Sequence, residues 1–408
     1  MATNLDSQLL TPEFRDDPYP LYHQLRSEDP AHWSDAWDCW IITRYDDVNA
    51  ALRDPRRFSS VGTMERYLKQ LQPNALRQLQ PLYDHFTSGL TRLDPPEHTR
   101  LRSLANSAFT RPVIEELHTQ IQCTVEGLID NFENRGQVDL ISEFAYPLPA
   151  SVIADLFGLP MEDCDQFKAW SQQIVAFHGT GRADPVVTLR SQEALLEARE
   201  WLGSLVDERR QCPQKDLLTR FVQAEEQDES MSTTELFSNS VTFIIGGHET
   251  TTNLIGNGIL ALLQNPDQLS LLQQDPGLIE QAVEEMLRYD APTQRAHRIA
   301  TRDIDLHGNT IRKGDFVQPI ISAANRDPEQ FPDPDRFDIQ RRNNKHLSFG
   351  AGPHYCIGAP LSRMEAKIAI PALIRRLPNL ELDPDEAPEM SPNNFFRGRV
   401  RLPLVFGR

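Results

Sequence analysis

Phe349-Gly350-Ala351-Gly352-Pro353-His354-Tyr355-Cys356-Ile357-Gly358 sets one cysteine among three glycines. Gly350, Gly352 and Gly358 carry no Cβ, which lets the backbone turn tightly and aim amide N–H groups at the Cys356 sulfur. Such bonds stabilise a thiolate and set its strength as a donor. The residues from Ile357 to Ile374 read as a helix whose positive end lies against that sulfur. At this composition, Phe-x-x-Gly-x-x-x-Cys-x-Gly arises by chance on the order of once in a thousand such chains. The competing reading is a small core cysteine in a Gly-rich turn.

Upstream of the loop the pattern is mostly helical. Long amphipathic segments run from Pro112 to Glu133, Thr188 to Arg210, Ser232 to Gln264 and Leu278 to Tyr289. Strand patterns cover Cys39 to Tyr45, a hairpin of Ile304–Leu306 and Thr310–Arg312 around Gly308-Asn309, and Val400 to Val405. This predicts an α+β chain, predominantly helical, with a small β-rich region. No linker, repeat or low-complexity tract divides it, so one domain over residues 1–408 is expected.

A net charge of −18, from 41 Lys and Arg against 59 Asp and Glu, argues against a nucleic-acid partner. Five cysteines, an odd number without metal-site spacing, do not make a disulfide framework and point to a reducing, cytoplasmic setting. The start of the chain, Met1 to Pro20, has no apolar leader, and no stretch approaches the roughly 20 apolar residues that span a bilayer, so no membrane association is expected.

Three further patterns carry chemistry. Gly246-Gly247-His248-Glu249-Thr250-Thr251 interrupts the apolar segment from Phe243 to Leu263. Each glycine costs a helix about 1 kcal/mol against Ala, so something other than helix stability is served. The bland reading is a kinked helix with a solvated Glu249 and threonines bonding back to their own helix. Asp94-Pro95-Pro96 starts a helix on which His98 and Arg102, at i and i+4, share a face. Glu285 and Arg288 form an i, i+3 pair, followed by Phe331-Pro332-Asp333-Pro334-Asp335-Arg336-Phe337.

Together these segments resemble the cytochrome P450 family from about Asp17 to Pro403, closest to soluble bacterial members that use separate redox proteins. The resemblance implies the P450 fold and haem b (iron protoporphyrin IX), with Cys356 as its axial ligand and the chain's metal-binding residue. It gives Phe349, Gly350 and Gly358 the proximal side, and His98, Arg102, Arg298 and His354 the propionates. Glu249 would feed protons and Thr250 would hold an ordered water on the distal side. Glu285, Arg288 and Arg336 would form a buried structural ion-pair triad.

Phe86, Thr242, Ile245, Gly246, Gln294 and Phe395 would face the substrate. Met64, Leu76, Leu79, Leu82, Tyr83 and Leu90 either line the same pocket or pack a helix.

The implied function is monooxygenation: one oxygen atom from O2 enters a lipophilic small molecule, with electrons from NAD(P)H through ferredoxin reductase and ferredoxin. A cytoplasmic, monomeric enzyme of secondary metabolism fits that class. The alternatives are a peroxide-driven or non-oxygenative haem-thiolate enzyme and a non-catalytic haem-binding sensor or carrier. The acid–alcohol pair Glu249 and Thr250 favours the first reading. A basic run, Arg341, Arg342 and Lys345, lies just before the cysteine loop in this acidic chain and would steer an acidic ferredoxin.

Overall fold

The computed structural model describes residues 5–71, 77–106, 109–180, 182–226 and 230–407, and Leu76 lies outside them. Its organising element is the helix Thr233–Gln264, 32 residues and about 48 Å long at 1.5 Å per residue. A capping box starts it: the Ser232 hydroxyl accepts from the Glu235 amide at 3.2 Å, and the Glu235 carboxylate accepts from the Ser232 amide at 2.7 Å. Pro266 follows its last turn and opens the next helix.

This central helix packs against Pro147–Phe157, Ala359–Arg376 and Ile279–Tyr289. Its glycines have different jobs. A Cβ on Gly247 would lie 2.5 Å from Ile153 Cδ1, and one on Gly258 would lie 2.6 Å from Met286 Sδ, so both permit close helix packing. A Cβ on Gly246 would meet nothing within 4 Å, because this residue borders open space.

The largest sheet orders its strands Ala31–Ser34, Cys39–Ile42, Phe316–Pro319, Arg298–Ala300 and Phe58–Ser59. The Cys39–Ile42 and Phe316–Pro319 pair is parallel and the others are antiparallel. The first strand pattern ends at Ile42 rather than Tyr45, because Tyr45 opens a helix running to Arg53.

The hairpin pairs Leu306 with Asn309, so its turn is His307-Gly308, one residue earlier than expected. Both turn residues have positive φ, 49° and 83°, which suits a two-residue hairpin. The C-terminal strand pattern divides in two. Arg399–Arg401 pairs with Glu389–Met390, while Pro403–Val405 pairs with Gln137–Asp139 and Glu381–Leu382. At the break, the Leu402 amide donates to the Asp139 side chain instead of a strand. No helix among the described residues is long and apolar enough to cross a membrane.

Candidate active site

The cysteine loop is built from its glycines outward. Gly350 and Gly352 hold left-handed backbones, φ 69° and 68°, and a Cβ on Gly352 would lie 2.7 Å from Arg53 Cα. Gly358 has an ordinary φ of −79° and begins the helix Ala359–Arg376. The Cys356 amide donates to the Phe349 carbonyl at 2.8 Å, closing the loop. Burial pushes the Cys356 thiol up, while the amides of Gly358 and Ala359 and the charge of Arg102 favour its thiolate.

Cys356 forms one wall of a cavity of about 420 Å³, and Gly246, Gly247 and Thr250 of the central helix form another. Phe349, Gly350, His354 and Gly358 line it beside the thiol, as do His98, Arg102 and Arg298 from two other segments. His98 and His354 lie with ring centroids 4.3 Å apart, and the His354 ring is 3.1 Å from Ser60 Oγ. Burial lowers Arg298 to about 10, with Asp94 opposing, and lowers His354 to about 3, helped by Arg298. His98 Nε2 is buried without a hydrogen-bond partner.

On the central helix, Thr250 faces the cavity and its hydroxyl donates to the Gly246 carbonyl at 3.0 Å. Thr251 donates to Ser362 Oγ at 3.1 Å, bridging to the helix after the cysteine. Glu249 does not line the cavity. It turns toward Lys168 and bonds Asn253, because successive helical residues point about 100° apart. Burial raises its carboxyl, and Lys168 opposes that rise.

Phe86, Thr242, Ile245, Gly246 and Phe395 reach the cavity as expected. Gln294 does not: its amide side chain turns inward and donates to the Ala291 carbonyl at 2.7 Å, while its neighbours Thr293 and Arg295 face the space. Leu90 also lines the cavity, whereas Met64, Leu79 and Leu82 are packed into the adjoining core with Tyr83 against them.

The ion-pair triad needs a larger correction. Arg288 grips both Glu285 oxygens at 2.7 and 2.8 Å, but the third guanidinium is that of Arg341. Arg336 is exposed and contributes its carbonyl, which accepts from Arg288 and Arg341. Arg341 is therefore not available as a surface charge, while Arg342 and Lys345 remain exposed.

A second ion pair was not visible in the sequence. Arg363 donates to Glu284 at 2.6 and 2.8 Å and lies over the Phe349 ring at 4.5 Å, tying the cysteine loop to the helix Ile279–Tyr289. Arg92, His178 and His297 were also missed, although all three line the cavity.

Residues 52–404 match the family described as Cytochrome P450. The chain is a cytochrome P450. It is 40% identical over 413 residues to the cytochrome P450 monooxygenase PikC of Streptomyces venezuelae, covering 99% of this chain and 94% of that one. It is 38% identical to the polyketide biosynthesis cytochrome P450 PksS of Bacillus subtilis, covering 97% of each. The crystal structure of P450BioI with an acyl carrier protein ligated to hexadec-9Z-enoic acid matches with a TM-score of 0.89 and 36% identity, over 97% of this chain and 99% of that one.

This P450 is accordingly a monooxygenase of the haem-dependent class, and the family's cofactor is haem b. The residues present fit that group. Arg92, Arg102, Arg295 and Arg298 line one cavity, yet among the described residues none has a carboxylate within ion-pair distance. Of these, Arg102 and Arg298, with the unpartnered His98 Nε2, form an electropositive wall suited to two propionates. The P450 thiol faces the same space with two amides directed at its sulfur.

Proposed function

We propose that this P450 oxygenates a lipophilic small molecule held between Cys356 and the central helix, using electrons from a ferredoxin-type donor. The observation that carries this reading is one apolar cavity with a Gly-caged thiol on one wall and Gly246 to Thr250 on the opposite wall. When bound, haem supplies oxygen activation of the kind that thiolate-ligated iron supports.

The protein's own residues hold and protonate. Cys356 would ligate the iron, its charge held by the Gly358 and Ala359 amides and by the helix beginning at Ala359. His98, Arg102, Arg298 and His354, which line the cavity beside it, would hold the propionates. Thr250 spends its proton on the Gly246 carbonyl, which leaves its oxygen lone pairs to accept from a water in the cavity. Glu249, raised by burial and facing Lys168, carries protons from outside the cavity toward that water.

The skeleton it accepts is apolar and bulky. Phe86, Leu90, Ile245 and Phe395 supply a wall that makes few directed bonds. Among relatives, PksS is a polyketide biosynthesis P450 and one from Pseudonocardia autotrophica is a vitamin D(3) 25-hydroxylase. A secondary metabolite of comparable size suits this site. The enzyme works in the cytoplasm, where Cys39, Cys123, Cys164 and Cys212 stay as free thiols. Arg342 and Lys345, exposed just before the cysteine loop, steer the electron donor.

Turnover under isotopically labelled O2 with ferredoxin, its reductase and a compound that shifts the haem spin state tests the reaction. One labelled oxygen atom per product is expected. Product formed at the same rate from peroxide alone, without label from O2, would establish the peroxide-driven alternative instead.

A further inference from the structure

The cavity holds more positive charge than a haem can neutralise. Among the described residues four guanidinium groups line it, those of Arg92, Arg102, Arg295 and Arg298, and the one carboxyl in its wall is Glu365. Burial raises Glu365 well above its ordinary value, which leaves it neutral. Two propionates offset two of the four charges. Arg102 and Arg298 stand with His98 and His354 beside the cysteine loop and would take the propionates. The Arg298 charge bears on Arg92 as well, and Arg92 and Arg295 would be left without an anion.

These two flank His178. Arg92 Nη2 lies 3.5 Å from both nitrogens of the His178 ring, and Arg295 Nη2 donates to the His178 carbonyl at 2.9 Å. Arg295 is 1% exposed and its Nε has no partner. Arg92 Nη1 donates to Thr63 Oγ1 at 2.8 Å and lies 3.3 Å from His297 Nδ1. An acceptor role for Nδ1 places the His297 proton on Nε2. Phe395 closes the cluster, stacked on His178 at 5.2 Å and set 5.1 Å from His297.

The nearest charged competitor is engaged elsewhere. Asp94 accepts from Ser59 Oγ and the Ser60 amide, and its charge acts on Arg298 and His98. Burial, with the Arg92 charge next, holds His178 and His297 well below the ordinary imidazole range, so both are neutral, each accepting from Arg92 with one N–H left to donate. A buried guanidinium without a counter-ion is costly unless a ligand supplies one.

We propose that Arg92, His178 and His297 form a receptor for a carboxylate, so that the substrate is an apolar small molecule bearing one acid group. This deepens the monooxygenase reading and rests on it. A monoanion suits the cluster better than a phosphate, because both Arg295 Nη groups are already engaged with Asn394 and the His178 carbonyl, which leaves the Arg92 guanidinium and neutral imidazoles for the acceptor. The acid head docks there, and the carbon skeleton lies along Phe86, Leu90 and Ile245.

The test uses the haem-loaded enzyme and two matched ligand pairs: myristic acid against tetradecanol, and abietic acid against abietinol. Binding is read both from the haem spin shift and from equilibrium dialysis. At least one acid should bind about tenfold or more tightly than its alcohol. Arg92→Leu should weaken that acid by about tenfold and leave the alcohol within about twofold, while Arg92→Lys should keep most of the preference.

The proposal is overturned if neither acid outbinds its alcohol, or if Arg92→Leu weakens acid and alcohol alike. It is also overturned if Arg92→Leu sheds haem while the remaining holoenzyme keeps its acid preference, since Arg92 would then serve a propionate. Dialysis reads the preference without relying on haem absorption. Failure of the parent's reduced carbonyl spectrum would count against the haem-thiolate reading alone.

Discussion

Arg341 Nε lies 3.1 and 3.2 Å from the two carboxylate oxygens of Glu285, and its remaining nitrogens donate to the carbonyls of Pro332, Asp333 and Arg336. The same carboxylate accepts from Arg288, the Asp338 amide and the Asn344 side chain. A buried acid saturated in this way pins the segment before the cysteine loop to the helix Ile279–Tyr289. Asn325 continues the brace, accepting from the Leu347 amide at 2.7 Å and donating to Ser348 Oγ at 2.8 Å.

Arg341→Ala therefore should cost about 2–3 kcal/mol, since it strips a charged partner from buried Glu285 and leaves the Pro332 carbonyl without its donor. Arg336→Ala should stay within about 0.5 kcal/mol, because that side chain is exposed and its carbonyl survives. Urea unfolding of the haem-loaded protein separates the two. Equal losses would contradict the assignment.

Acid sensitivity should come from Glu284. Burial alone would raise this carboxyl, but bonds from Arg363 and His346 outweigh it and hold it at about 2, against an ordinary 4.5. A depressed folded value contributes stability that is complete above about 4.5 and is lost as pH falls toward 2. The urea midpoint of the parent should exceed that of Glu284→Gln by a constant margin at neutral pH, with the margin shrinking below pH 4.5. A margin that grew on acidification would have the wrong sign.

Thr250→Ala should retain substrate binding yet lose product per NAD(P)H by about tenfold or more, with hydrogen peroxide released instead, because the water in the cavity loses its acceptor. Glu249→Gln should slow oxygen consumption with less loss of coupling, since Glu249 stands outside the cavity wall. Oxygen uptake and peroxide yield, measured together, distinguish the two variants. Unchanged coupling in Thr250→Ala would remove its hydroxyl from the reaction.

Charge reversal at Arg342 and Lys345 tests the electron entry face. The double Glu variant should slow reduction by ferredoxin at low ionic strength, and the difference should fade as salt shortens the Debye length to about 10 Å at 0.1 M. Dithionite reduction should be unaffected. Arg341 is left out, because reversing it would break the Glu285 ion pair. Identical ferredoxin rates across the salt series would place docking elsewhere.

The cysteine loop was legible because its chemistry is local: a thiol, tight-turning glycines and a following helix form one continuous stretch from Phe349 to Arg376. Helix existence was equally plain, and the segment from Ser232 to Gln264 differs from the observed helix by its cap alone. What the sequence hid was direction. Arg336 and Arg341 lie in the same irregular stretch, and only its tertiary path turns one guanidinium inward. Gln294 and Arg295 alternate in the same way.

Glu249 falls outside the cavity while Thr250 and Thr251 both line it, so helical spacing alone did not say which neighbour of Thr250 would face the space. Arg92, His178 and His297 carried no motif. Three separated segments bring them together, so only folding shows the cluster.

The reduced carbonyl spectrum of the parent and of Cys356→Ser tests the central claim most directly. Thiolate ligation predicts a strongly red-shifted Soret band in the parent and its disappearance in Cys356→Ser. A parent band without that shift, or a shifted band that survives the substitution, would contradict Cys356 as the iron ligand.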